Sequence, residues 1–163
     1  MSATRIAHRL FCLLAVGAAA AALGCGTDDG GHVPMVIGDP DVFQQDVQPL
    51  FDARCASPSC HAGADRPLEL YAPLRHRLDP DLLYEDGPLS PEELQLNQMR
   101  ASCFIGDLDH GSTLAKKPLP PDQGGLKHAA GLIFENADDP EYLPLKDWVD
   151  ATAAGLSLQE PQP

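Results

Sequence analysis

The chain has 163 residues, 11 Lys and Arg against 24 Asp and Glu, and a formal charge of −13, which gives room for one modest domain. That balance excludes a nucleic-acid binder, because such a protein needs a cationic footprint to displace counterions from phosphates. A hydrophobic share of 44% excludes a chain disordered throughout, while 16 Pro and 14 Gly place much of it in loops.

Residues 1–24 read as an export signal. Arg5 and Arg9 open it with no acid, and an almost wholly apolar run of mostly small residues follows over 10–23, too short for a permanent membrane span. Its end, Ala22-Leu23-Gly24-Cys25, resembles the bacterial lipoprotein signal. That resemblance implies cleavage before Cys25, lipidation of Cys25, and anchoring in the cell envelope by acyl chains rather than by protein. Gly26 rather than an aspartate follows the cysteine, which in such lipoproteins implies the outer membrane, facing the periplasm or the cell surface. Residues 25–41 are rich in Gly, Asp and Pro without an apolar period, and read as a flexible tether.

An all-α domain is expected over 42–154, with 155–163 a disordered tail. Phe43, Val47, Leu50 and Phe51 recur at helical spacing and predict an amphipathic helix over 41–54 that runs directly into Cys55. A helix is expected over 91–102. Tyr142, Leu145, Trp148 and Val149 predict another over 140–154, with Tyr142 and Trp148 in the core. The acids Asp79, Asp81, Glu85, Asp86, Glu92 and Glu93 read as a solvated face able to steer a basic partner.

Cysteine arithmetic isolates the chemistry. Cys12 leaves with the signal and Cys25 carries lipid, so Cys55, Cys60 and Cys103 remain in an oxidising compartment. His61 follows directly on Cys60, four residues separating Cys60 from Cys55. Covalent haem attachment uses that arrangement, with two thiols for the two vinyl groups on one porphyrin edge and an adjacent imidazole for the iron. The usual spacing has two intervening residues, so the added pair, which includes Pro58, must bulge outward. Two other readings stay open here: a Cys55–Cys60 disulfide loop with His61 exposed, or a zinc site completed by Cys103. Cys103 otherwise reads as a buried free thiol or half of an intermolecular disulfide.

The phrase Val47-Gln48-Pro49-Leu50-Phe51-Asp52-Ala53-Arg54-Cys55, then Cys60-His61-Ala62-Gly63, resembles the start of cytochrome c-like domains in exported proteins of planctomycetes and myxobacteria. The run Lys117-Pro118-Leu119, Gly124-Gly125, His128-Ala129-Ala130-Gly131 and Asp139-Pro140-Glu141-Tyr142 resembles their C-terminal half. The resemblance implies a small helical cytochrome c-like fold with long Pro/Gly-rich loops and one haem c. Its iron would be held by His61 and, on the far side, by His128, which matches the family's histidine. Met99 and His110 are the alternatives, then Met35 or an open position, and otherwise His128 is a solvated loop residue beside Lys127.

No G-x-S-x-G, H-E-x-x-H or phosphate-binding glycine loop competes. The expected function is one-electron transfer with redox partner proteins rather than catalysis. The rivals are a haem-free lipoprotein interaction domain with a Cys55–Cys60 disulfide, and a catalytic haem domain lacking a strong sixth ligand.

Overall fold

A computed structural model of the chain describes residues 36–106 and 112–157, with the backbone of two short segments before them, Cys25–Gly26 and His32–Val33. Those two segments pair antiparallel as β1 and β2, Cys25 opposite Val33, inside the stretch expected to be featureless tether. Everything else with regular structure is helical, as the sequence led us to expect.

The first helix, α1, covers residues 40–55. Asp39 caps it, its carboxylate accepting from the Asp41 and Val42 N–H groups at 2.9 and 3.1 Å, and Pro40 follows at the first helical position, where no N–H is missed. Pro49 deprives the helix interior of a donor. Around it α-turns at Pro40–Val42 and Gln48–Leu50 alternate with wider π-turns at Phe43–Val47 and Phe51–Cys55, and the second π-turn delivers Cys55. The predicted apolar face is the buried one: Phe43, Val47, Leu50 and Phe51 are all in the core.

Helix α2 is Pro91–Ser102, with the predicted bounds. Ser90 and Glu93 form a capping box at its start. Its inward face is polar, with Glu93, Asn97 and Gln98 buried, and this corrects the expectation that Glu93 shares a solvated face with the other five acids. Glu93 is 2% exposed because it has partners. Arg77 donates from Nε and Nη2 to its two oxygens at 2.9 and 3.0 Å, and the Leu78 and Ser90 N–H groups donate at 2.8 Å each. Asn97 donates to the Gln48 side chain at 3.0 Å and to the Tyr71 carbonyl at 2.8 Å, and accepts from the Tyr71 N–H at 2.9 Å. These bonds fasten α2 to α1 and to the segment between them.

A short helix, α3, is Thr113–Lys116, and the last, α4, is Leu143–Ser157. The start of α4 lies three residues beyond the expected one, because Asp139-Pro140-Glu141 forms a turn first: Asp139 accepts from the Glu141 N–H at its side chain and from the Tyr142 N–H at its carbonyl, both at 2.9 Å. Helix α4 packs on α1 through Phe43 and Trp148, whose ring centroids are 5.2 Å apart. Trp148 and Tyr142 are in the core. The Trp148 indole N–H donates to the Asp39 carbonyl at 3.2 Å. At Gly38 an added Cβ would lie 2.2 Å from Thr152 Oγ1 and 2.6 Å from the Trp148 nitrogen, so the packed chain begins inside residues 25–41 rather than at 42. Among the described residues no helix is long and apolar enough to cross a membrane.

Candidate functional site

At the end of α1 the chain turns over on itself. The Cys60 N–H donates to the Ser57 carbonyl at 2.9 Å and the His61 N–H to the Cys55 carbonyl at 3.2 Å, so the six-residue stretch from Cys55 to Cys60 closes as a loop. Pro58 and Ser59 are exposed at its outside while Ala56 is wholly buried at its base. The two additional residues thus bulge into solvent, and Cys55, Cys60 and His61 stay on one side.

That side is the wall of a cavity of about 690 Å3, within the size range of ligand and cofactor sites. Cys55, Cys60, His61 and Leu68 line it together with Phe104, Leu114, Pro118, His128 and Ile133, and Phe51 and Leu145 from α1 and α4 are also in the lining. His61 donates from Nδ1 to the Leu68 carbonyl at 2.7 Å. A carbonyl only accepts, so Nδ1 carries the proton and Nε2 keeps its lone pair. Burial holds the His61 pKa below its ordinary value, opposed by the Leu68 bond and assisted by His128 and Arg66, so the ring is neutral at pH 7 and competent to ligate a metal.

The segment carrying His128 is built by the K-P-L run. The Pro118 carbonyl accepts from the Ile133 and Phe134 N–H groups, both at 3.2 Å, and the Lys116 carbonyl accepts from the Leu126 N–H at 3.1 Å. Between these anchors the His128 turn closes with the Gly131 N–H donating to the His128 carbonyl at 3.0 Å, Gly131 at φ 79°, a conformation that suits glycine. Gly125 is needed for a different reason: a Cβ there would sit 2.0 Å from the Leu119 carbonyl oxygen. Tyr142 props the same wall, donating its hydroxyl to the Ala115 carbonyl at 3.0 Å.

The two imidazoles both line the cavity, their planes 11° apart and their centroids 6.1 Å apart. Two imidazoles that bond one metal ion through nitrogens about 2 Å from it, with about 1 Å more from each nitrogen to its ring centre, have centroids about 6 Å apart. His128 Nδ1 is buried without a hydrogen-bond partner, the kind of orphaned polar atom that calls for a further occupant of its site. Among the described residues no three His, Cys, Asp or Glu side chains converge to hold a metal ion by themselves; the donors here number two imidazoles.

Cys55 and Cys60 are free thiols. Burial, with Cys60 nearby as the second cause, pushes the Cys55 thiol up to about 12, so it stays protonated and is a poor nucleophile for disulfide exchange. Cys103 is disulfide-bonded, which corrects its reading as a free thiol and removes it from any zinc site. Met99 is half-buried on α2 and absent from the cavity lining. His110 and Met35 lie outside the described residues, as does the proposed signal segment. The sequence reading did not single out Leu68, whose carbonyl orients His61, or the lining residues Phe104 and Leu114.

No family model, curated protein or solved structure matches the chain.

Proposed function

We propose that this all-α chain is a c-type cytochrome domain, carrying one covalently attached haem and passing single electrons in the bacterial cell envelope. The observation that carries the reading is the pair of near-parallel imidazoles, His61 and His128, in the lining of a cavity that also holds two free thiols. The residues fit the group. Cys55 and Cys60 would each add S–H across one of the two vinyls of a porphyrin, giving two thioethers with no atom lost. His61, oriented by Leu68, would hold the iron through Nε2, and His128 would offer it a second imidazole. When bound, the haem supplies a one-electron Fe(III)/Fe(II) couple whose potential depends on its axial ligands and burial.

The chain's own part is positional. The Leu68 carbonyl fixes the tautomer of His61 and strengthens its donor nitrogen. Phe51, Phe104, Leu114 and Leu145 exclude water from the interior, which limits reorganisation around a changing charge. The free state of Cys55 and Cys60 gives no support to a haem-free domain closed by their disulfide. Lipidation at Cys25, which requires that thiol to be outside any disulfide, and outer-membrane anchoring are proposed with this function, with redox proteins as partners.

The test is a pyridine haemochrome spectrum on the mature chain, made in a host with cytochrome c maturation and extracted with acidified acetone. A c-type band should survive extraction and disappear in Cys60→Ala. Recovery of the chain without haem, with Cys55 and Cys60 joined, overturns the proposal. His128→Ala should convert a low-spin spectrum to a high-spin one that binds carbon monoxide, and an unchanged spectrum removes His128 as the second ligand.

A further inference from the structure

The segment between Ala72 and α2 carries surface that the cavity does not use, since no residue of 72–86 lines it. Five of the nine exposed large apolar side chains among the described residues, Leu74, Leu78, Leu82, Leu83 and Tyr84, fall within these few positions. Tyr84 is 67% exposed and Leu74 58%. Single exposed apolar residues are ordinary, whereas a concentration of them marks a surface that a partner covers.

The backbone holds them together. The Leu74 N–H donates to the Glu85 carbonyl and the Tyr84 N–H to the Arg75 carbonyl, both at 3.0 Å, so the two ends of the loop lie side by side. The Leu82 and Leu83 N–H groups bond back to the Asp79 and Pro80 carbonyls at 3.0 and 3.3 Å. Leu74 and Tyr84 both have a left-handed backbone, at φ 59° and 64°, and among the described residues no other non-glycine does. That conformation strains a residue with a bulky side chain, and here neither side chain is buried to offset it. Strain kept where the fold gains no burial points to a use outside the fold.

The charges of the loop are sorted as well. Its bases are engaged with the body of the protein: the Arg75 charge acts on the Asp52 carboxyl, His76 Nε2 donates to Glu69 at 2.7 Å, and Arg77 is held by Glu93. Its acids, Asp79, Asp81, Glu85 and Asp86, are all exposed, and among the described residues none of them is ion-paired. Uncompensated carboxylates beside exposed leucines and a tyrosine repel a second copy, an anionic membrane or an acidic protein. They attract a cationic surface with an apolar centre.

We propose that residues 74–86 form a docking site for a basic protein partner, in which Leu74 and Tyr84 lead the apolar contact and the four acids supply the surrounding charge. The inference stands apart from the haem reading, because it uses none of the cavity's residues.

The experiment uses the purified chain and three fluorescein-labelled amphipathic peptides of one length. The first has a leucine face and lysines elsewhere, the second has serine in place of leucine, and the third has glutamate in place of lysine. By anisotropy the lysine–leucine peptide should bind about tenfold more tightly than the lysine–serine one, with the glutamate–leucine peptide unbound. Its affinity should fall about tenfold between about 0.01 and 0.1 M salt, as the Debye length shortens. Leu74→Asn and Tyr84→Asn each supply a residue that tolerates the left-handed backbone. Each should weaken binding about threefold to tenfold while the urea midpoint stays the same or rises. Asp81→Asn combined with Glu85→Gln should remove most of the salt dependence, and Leu132→Asn, at an exposed leucine outside the loop, should change neither property. Equal binding of the lysine–leucine and glutamate–leucine peptides, or an equal loss in Leu132→Asn, overturns the docking site. So does a lower urea midpoint in both loop variants, which would give Leu74 and Tyr84 to the fold. Self-association of the unaltered chain that these variants abolish would assign the surface to a second copy and overturn it too. The haem spectrum is read separately, so none of these results alters that proposal.

Discussion

The stretch from residue 68 to the end of α2 and the stretch from α3 to Tyr142 each carry buried polar groups, and they treat them differently. In the first, Glu93 collects four hydrogen bonds, Asn97 three, and the Gln98 side chain donates to the Gly38 carbonyl at 2.6 Å. Its one orphan, Arg75 Nη1, belongs to a side chain whose charge acts on the Asp52 carboxyl. In the second, His128 Nδ1 is orphaned beside a 690 Å3 cavity lined by unpaired thiols and cations. The first stretch, with Gln48 and Gly38, partners its buried polar groups apart from Arg75 Nη1, whereas the second supplies His128 to a cavity whose other donors, Cys55, Cys60 and His61, come from the end of α1. On the proposed function, stability and function are thus housed apart, and perturbations should separate them.

The largest effect is expected in the first stretch. Glu93→Gln keeps the side chain's shape but leaves the Arg77 guanidinium buried without its counter-charge, at a cost of about 3–5 kcal/mol, a large part of the total stability of a small domain. Urea unfolding should show the loss, and a change below about 1 kcal/mol would mean that this pair does not hold that stretch. Acid should act next most strongly, through the same group. Burial alone would raise the Glu93 carboxyl, but the bonds from Arg77, Ser90 and Leu78 outweigh it and hold it at about 2, against an ordinary 4.5. A depressed carboxylate stabilises the fold above its ordinary value and ceases to do so as pH falls through the folded one. About 3 kcal/mol should therefore drain away between pH 4.5 and 2, and the slope of stability against pH should flatten in Glu93→Gln.

The parts of the molecule were also unequally legible in the sequence. The apolar period of α1 showed which of its residues are buried, Phe43, Val47, Leu50 and Phe51, because they need only apolar neighbours in the core. Glu93, Asn97 and Gln98 gave no such signal. Their burial depends on Arg77, Gln48, Tyr71 and Gly38, which lie 16 to 60 residues away, and a polar residue with a distant partner looks the same in sequence as a solvated one. The capping box that Ser90 and Glu93 form in the structure marks a helix start and says nothing of burial. At the site, Cys55, Cys60 and His61 were legible from local spacing, while His128 was reached only through resemblance. The Leu68 carbonyl carries no sequence signal, since every residue has one. The cationic lining was also hidden, because Arg66 and Lys117 are 51 positions apart in the chain and reach one cavity only through the fold.

Gly125→Ala probes the second stretch. The new methyl carbon would meet the Leu119 carbonyl at 2.0 Å, and since that atom is backbone, the K-P-L run and the 124–126 segment must part. Overpacking of this kind costs about 1–3 kcal/mol, less than breaking the Arg77–Glu93 pair, because the strain can be released by moving a loop rather than by burying a charge. The release has a direction: it loosens the Lys116 to Leu126 bond that precedes the His128 turn. Hydrogen exchange followed by mass spectrometry should therefore show faster exchange over 117–134 with residues 90–102 protected as before, and the fraction of chain carrying low-spin haem should fall. Faster exchange in α2 as well would break the comparison. It would mean that the Arg77–Glu93 stretch draws its stability from the cavity wall, and that the chain folds as one cooperative unit rather than as two stretches of unequal stability.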